Sequence, residues 1–130
     1  MEQLSRSEEQ VMVALWECGR AATRREIAAK LPPECRWADT TLLNFLLRLE
    51  KKSFVRAEKQ GNKNLYTPLV RWMTYCGAVS EAHLHTLYGG DLRAFVKALA
   101  DTDRIGYGDI ERLLRWLGEY QAANPEYDYE

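Results

Sequence analysis

The spacing of apolar residues changes twice along the chain, from a helical period to alternation and back. Apolar residues recurring at i, i+3, i+4 and i+7 predict three helices in the first half, over residues 7–18, 24–31 and 39–52. Two short strands are predicted next, over residues 54–60 and 65–68, around a turn containing glycine and asparagine. The helical period then returns and predicts helices over residues 71–88, 92–100 and 109–120.

This order of elements predicts a mainly α protein with a small β-hairpin. Three helices followed by a hairpin are typical of a winged helix-turn-helix, in which the third helix enters the major groove and the hairpin is the wing. We therefore expect a winged-helix DNA-binding domain over residues 1–70 and a helical dimerisation region over residues 71–130.

Polar residues at the starts of the first three helices are candidate caps. Ser7 is expected to cap the first helix and Asp39 the third. Thr23 with Glu26 three positions later predicts a capping box on the second helix.

The third helix carries the candidate DNA-binding residues. Its apolar ridge is expected to face the core and comprises Leu42, Phe45, Leu46 and Leu49. Burial of that ridge would turn the opposite face outward, which comprises Thr40, Thr41, Leu43, Asn44, Leu47 and Arg48.

Five of the six outward side chains have a matching group on DNA. Thr40 and Thr41 can bond to phosphates or base edges, and Asn44 fits the donor and acceptor of adenine. Leu43 can contact a thymine methyl group, whereas Arg48 can reach a phosphate or a guanine. The alternative is an ordinary solvated face, in which Arg48 pairs with Glu17 or Glu50.

Two further features flank this helix. Lys59 and Lys63 in the wing are candidate phosphate contacts, although lysines at a hairpin tip are common. Trp37 is expected to anchor the turn before the third helix by packing, with a phosphate contact as the lesser alternative.

Charge is unevenly distributed although the net charge is only −1. Residues 1–70 carry 12 Lys and Arg against 9 Asp and Glu, whereas residues 71–130 carry 6 against 10. A basic first half and an acidic second half fit DNA contact followed by self-association. The sequence starts without a signal peptide pattern and has no apolar run of about 18 residues, so we expect a cytoplasmic protein without membrane contact.

Neither catalysis nor a cofactor is indicated. Cys18, Cys35 and Cys76 include no CxxC pair, so reduced thiols are expected, at least one of them buried. His83 and His85 lie two apart on a helix and point to different faces. We expect no metal, no cofactor and no enzyme, although His83, His85 and Cys76 leave a hidden metal site as a minor alternative.

Five segments, in order along the chain, resemble one known family. They are EQVMVALW at 9–16, REIA at 25–28, WADTTL with RL and KK at 37–52, KQG with YTPLV at 59–70, and LYGG at 87–90. These segments are similar to the penicillinase-repressor family, which includes β-lactamase, methicillin-resistance and copper-transport repressors. The resemblance implies a homodimer that represses transcription on a pseudo-palindromic operator.

The chain departs from these relatives at positions linked to induction. Ala98 and Leu99 stand where β-lactam-responsive members have the Asn-Phe bond that is cut, and the CxC pairs of copper-responsive members are absent. An unknown inducing signal or protease is therefore an expected partner. Leu43 stands where Lys is common, Asn44 and Leu47 where Thr is common, and Asn62 at the usual wing Arg, which predicts a different operator sequence.

The region after residue 70 has more large apolar groups than about 60 residues can bury alone. Those expected in a dimer interface are Trp72, Tyr75, Val79, Leu84, Leu87 and Tyr88. The alternative is a core formed within one chain on the winged helix. A different function also stays open, because Leu43 and Leu47 would suit a winged helix that binds another protein and no DNA.

Overall fold

The computed structural model describes residues 1–125, which form six helices and one three-stranded antiparallel sheet. The helices are α1 (Arg6–Cys18), α2 (Arg24–Lys30), α3 (Asp39–Lys51), α4 (Trp72–Tyr88), α5 (Leu92–Asp101) and α6 (Tyr107–Ala123). The strands are β1 (Ala22–Thr23), β2 (Val55–Gln60) and β3 (Lys63–Pro68), in the sheet order β1-β3-β2. The predicted winged helix-turn-helix followed by further helices is confirmed.

The helix caps agree with the sequence prediction in one case of three. Thr23 and Glu26 form the predicted capping box on α2. Helix α1 is capped by Ser5 and not by Ser7, and Glu8 completes a capping box with Ser5. The Ser5 Oγ accepts from the Glu8 N–H at 3.2 Å, and the Glu8 carboxylate accepts from the Ser5 N–H at 2.8 Å.

The predicted cap on α3 is wrong. Ala38 occupies the N-cap position and makes no side-chain bond, whereas Asp39 is the first residue of the helix. The Asp39 carboxylate instead lies 2.9 Å from the Arg24 guanidinium at the start of α2. This ion pair joins the first turns of the two helices of the helix-turn-helix.

The wing is a tighter hairpin than the sequence predicted. Gln60 pairs with Lys63, so the turn is confined to Gly61 and Asn62, and β3 starts two residues earlier than expected. Gly61 has φ +64, a left-handed conformation that glycine adopts without steric cost. The two-residue strand β1, which the sequence analysis missed, pairs with β3 and ties the start of α2 to the wing.

The structure divides into two compact units, Met1–Ser80 and a second unit that begins at Glu81. The core of the first unit is formed by α1, α3, the sheet and neighbouring residues. Its fully buried side chains include Val11, Met12, Leu15, Ile27, Leu46, Leu49 and Val55. Cys35 is also buried, as expected of at least one thiol. The expected functional division near residue 70 stays a prediction.

Tyr75 of α4 belongs to the core of the first unit, which corrects its assignment to a dimer interface. Its hydroxyl donates to the Glu9 carboxylate at 2.6 Å and accepts from the Leu4 N–H at 3.0 Å. Burial, followed by the hydrogen bond to Glu9, raises the pKa of Tyr75 to about 12. Val79 packs on the same core, so part of this helix is accounted for within one chain.

The second unit has a different character. Between residues 81 and 125 the structure buries no side chain. Large apolar side chains that remain exposed there are Leu87, Leu92, Phe95, Tyr107, Leu114, Trp116, Leu117 and Tyr120. Helix α5 is nevertheless well formed, because the Asp91 carboxylate accepts from the N–H groups of Arg93 and Ala94.

Candidate nucleic-acid interface

Helix α3 has one buried face and one exposed face, as its sequence predicted. Leu42, Leu46 and Leu49 are buried in the core. The exposed residues of the helix include the predicted Thr40, Leu43, Asn44, Leu47 and Arg48. Five side chains able to contact DNA are therefore presented together on one rigid element.

Two residues of this helix differ in burial from the expectation. Phe45, predicted as part of the buried ridge, is only half-buried. Thr41, predicted to face outward, is also half-buried, and its N–H donates to the Ala38 carbonyl at 3.0 Å. The apolar ridge and the polar face thus meet along positions 41 and 45. The Thr41 side chain is therefore less accessible to DNA than that of Thr40.

Aromatic packing supports the exposed face from one side. The rings of Trp37 and Phe45 have centroids 4.9 Å apart, which agrees with the predicted packing role of Trp37. The Arg48 guanidinium lies over the Phe45 ring, 5.5 Å from its centroid, and within residues 1–125 it does not pair with Glu17 or Glu50. A cation held over a ring keeps its charge and still has free donors for an anion.

A cavity of about 280 Å³ separates the exposed face of α3 from the wing. The residues lining it are Thr23, Arg24, Arg25, Leu43, Lys59, Asn62, Lys63, Asn64 and Tyr66. Four of these side chains are cationic, and none of these described residues carries a carboxylate. The structure therefore brings Leu43 together with the two predicted wing lysines in an electropositive recess.

Arg24 and Arg25 are members of this recess that the sequence analysis missed. The helical period predicts only that they lie at the start of the second helix. The adjacent pair of arginines was a usable signal, because the first helical turn of a helix-turn-helix lies beside the recognition helix. Of the two, Arg24 is held by Asp39, while Arg25 is exposed.

Glu26, a carboxylate in the first turn of α2, is already neutralised. The Arg20 guanidinium donates to Glu26 at 2.6 Å, and the Thr23 N–H donates to the same side chain. The hydrogen bond from Arg20, then that from the Thr23 backbone, lowers the pKa of Glu26 to about 2. Glu26 therefore stays ionised and paired, and its charge subtracts little from that of the recess.

Among the described residues 1–125, no helix has the length and apolar composition to cross a bilayer, and no three His, Cys, Asp or Glu side chains are grouped to hold a metal ion.

Comparison with known proteins matches this chain to one family. The model of a family described as penicillinase repressor matches residues 4–119. The penicillinase repressor of Bacillus licheniformis is 28% identical over 124 residues, covering 95% of this chain and 96% of the relative. That of Staphylococcus aureus is 24% identical over 111 residues, covering 85% and 87%. The solved DNA-binding domain of the repressor BlaI is 30% identical with a TM-score of 0.49, covering 56% of this chain and 88% of that one.

Proposed function

Because this chain belongs to the penicillinase repressor family, we propose that it represses transcription by binding a pseudo-palindromic operator as a homodimer. The family consists of transcriptional repressors, which are DNA-binding proteins and not enzymes. The chain and the Bacillus licheniformis repressor match over nearly the whole of both, which supports a similar role for this chain. Binding to chromosomal DNA would make it a cytoplasmic protein.

The observation that carries the proposal is the exposed face of α3 beside an electropositive recess. A protein that reads DNA needs side chains that fit base edges and cations that neutralise phosphates. Asn44 supplies an amide that fits the donor and acceptor of adenine, and Leu43 supplies an apolar contact. Thr40 and Thr41 supply hydroxyls at the helix start. Each lies on the element that a winged helix inserts into the major groove.

Cations around this face would hold the protein on the phosphates. Arg48 extends from α3, and Lys59 and Lys63 are exposed on the wing. Lys59 and Lys63 line the recess with Leu43, and Arg48 lies on the exposed face of α3, so these cations could contact phosphates that flank the contacted bases. This distribution explains how a chain with net charge −1 can bind a polyanion.

The homodimer is supported by the second unit. With no buried side chain between residues 81 and 125, its apolar residues have no core of their own. A second copy offers the same surface, and a two-fold axis would pair the two faces. We assign dimerisation to the region after residue 70, apart from Tyr75 and Val79, which pack in the first unit.

Selection of bound duplexes from a random DNA pool tests the proposal. We expect an inverted repeat whose half-sites are spaced by about one helical turn, roughly 34 Å, or a multiple of it. Binding should weaken steeply between about 50 and 200 mM salt, because several counterions are released. A chain that selects no duplex, or binds all duplexes with little salt dependence, would instead be a protein-interaction module.

A further inference from the structure

We propose that Leu43 and Leu47 form a sensor for thymine methyl groups, so that the operator carries thymines at two fixed positions in each half-site. This inference rests on the proposed function and adds the base chemistry that the operator must present. Leu47 has a role here that neither the family comparison nor the predicted contacts assign to it.

Neither of the two leucines belongs to the buried core of the first unit. Leu43 is 36% exposed and Leu47 55% exposed, whereas Leu42, Leu46 and Leu49 of the same helix are buried. Neither leucine belongs to the core or to the half-buried residues that pack on it in the described part of the chain. A ligand that covers these side chains would gain the free energy of removing their apolar surface from water.

The spacing of Leu43 and Leu47 along α3 is compatible with contacts to bases that follow one another along DNA. Residues four apart on a helix are neighbours on one face, about 6 Å apart along the axis. Base pairs repeat every 3.4 Å along DNA, so two contacts of this spacing reach bases about two steps apart. Asn44 and Arg48 form a parallel polar row next to the leucines, so apolar and polar readers would lie side by side.

The electrostatic surroundings select DNA over a protein as the ligand. Leu43 lines the recess that also contains Arg25, Lys59 and Lys63. A protein partner would need roughly 800 Å² of well-packed surface, far more than two leucines supply. A thymine methyl is the one apolar group in the major groove, and the phosphates beside it would meet these cations.

Deoxyuridine provides the test, because it pairs with adenine as thymine does but lacks the methyl group. The probe is the tightest duplex selected from the random pool, with each thymine replaced in turn. We expect the affinity of the unmodified protein to fall roughly fourfold at each of two thymines per half-site, as loss of one buried methyl group predicts. Replacement of other thymines should leave the affinity within about twofold.

Variants assign each methyl group to a side chain. Leu47→Ala should bind the thymine and deoxyuridine duplexes equally at one position and keep the difference at the other, with Leu43→Ala giving the converse. Leu47→Met, which keeps an apolar side chain, should retain most of the difference. Leu69→Ala is the matched control, since Leu69 is also an exposed leucine of the first unit but follows β3 and does not lie on α3. Thermal unfolding of each variant confirms that it is folded.

The outcomes separate this inference from the proposed function. If the pool yields a salt-dependent inverted repeat but every deoxyuridine duplex binds as tightly as its parent, the sensor is refuted and the repressor stands. The sensor is also refuted if Leu47→Ala weakens both duplexes equally and leaves their ratio unchanged. A pool from which no duplex is selected overturns both.

Discussion

Replacing Lys52 by methionine is expected to destabilise the first unit by about 2 kcal/mol, because it leaves a buried carboxylate without its cation. Glu8 of α1 is only 2% exposed, and both of its oxygens accept from the Lys52 Nζ, at 2.8 and 3.0 Å. Lys52 follows the last residue of α3, so this pair ties the end of the proposed recognition helix to α1.

The expected loss of stability depends on the hydrogen-bond partners that Glu8 keeps in the variant. Removing one partner of a fully buried ion pair typically costs about 3–5 kcal/mol. Lys52 is 26% exposed, so water can approach the carboxylate once the ammonium is gone, and the Ser5 N–H still donates to Glu8. Both effects lower the cost, and about 2 kcal/mol corresponds to a fall in Tm of roughly 8–16 °C for a unit of this size.

The pH dependence of the free energy of unfolding gives an independent check, because the Glu8 pKa predicts the direction of the change. Burial by itself raises the pKa of Glu8, but the hydrogen bonds from Lys52 and Ser5 outweigh it and hold the pKa below its ordinary value of 4.5. A lowered pKa in the folded state stabilises the protein above pH 4.5, and that contribution is lost as the pH falls through the folded value. The difference between the protein and the Lys52→Met variant should therefore shrink in acid.

The assay is urea or thermal unfolding followed by circular dichroism at pH 7 and at pH 3. Lys97→Met is the control, because Lys97 and Asp101 form an ion pair whose side chains are both largely exposed, and its loss should hardly change the free energy of unfolding. The Glu8→Gln/Lys52→Met double variant should recover stability relative to Lys52→Met alone. Equal costs for Lys52→Met and Lys97→Met would refute the reasoning.

Four other changes test the remaining parts of the account. Asn44→Ala should cost about 1–3 kcal/mol at one operator position and relax the preference there, as measured with single-base operator variants; unchanged discrimination at every position would exclude base reading. Lys63→Ala should weaken binding to all duplexes alike and reduce the salt slope by about one, and an unaltered slope would remove this lysine from the phosphate contacts. Tyr75→Phe should destabilise the protein by about 1–3 kcal/mol in chemical unfolding, because the buried Leu4 N–H loses its acceptor; no loss would mean that water replaces the hydroxyl. Leu114→Glu should convert a sedimenting dimer to a monomer, and a dimer of undiminished affinity would place the interface elsewhere.

The elements that the sequence predicts correctly are those that depend on residues close together along the chain. The ridge of Leu42, Leu46 and Leu49 predicts both the helix and its buried face, because the helical period fixes which side chains share a face. The wing follows from Gly61 between two alternating segments. The outward position of Asn44 is a direct consequence of the same periodicity.

The features that the sequence analysis missed depend on distant partners. Tyr75 was assigned to an interface because periodicity shows that a face is apolar without showing which core it joins. Its hydroxyl partners, Glu9 and Leu4, are 66 and 71 residues away. Arg24 is similar, since its pairing with Asp39 and its place in the recess depend on how α2 packs beside α3 and the wing. Strand β1 is too short to show a period at all.

The proposed homodimer would couple self-association energetically to operator binding. One α3 helix offers few base contacts, and a contact to one base pair is worth only about 1–3 kcal/mol. A second copy doubles these contacts without a second loss of translational freedom, so the dimer binds a two-fold site far more tightly than a monomer binds half of it. Anything that separates the apolar surfaces of α5 and α6 would therefore release DNA without touching α3. In the proposed homodimer, an inducing signal or protease that acted there would lower operator affinity and leave the affinity for an isolated half-site unchanged.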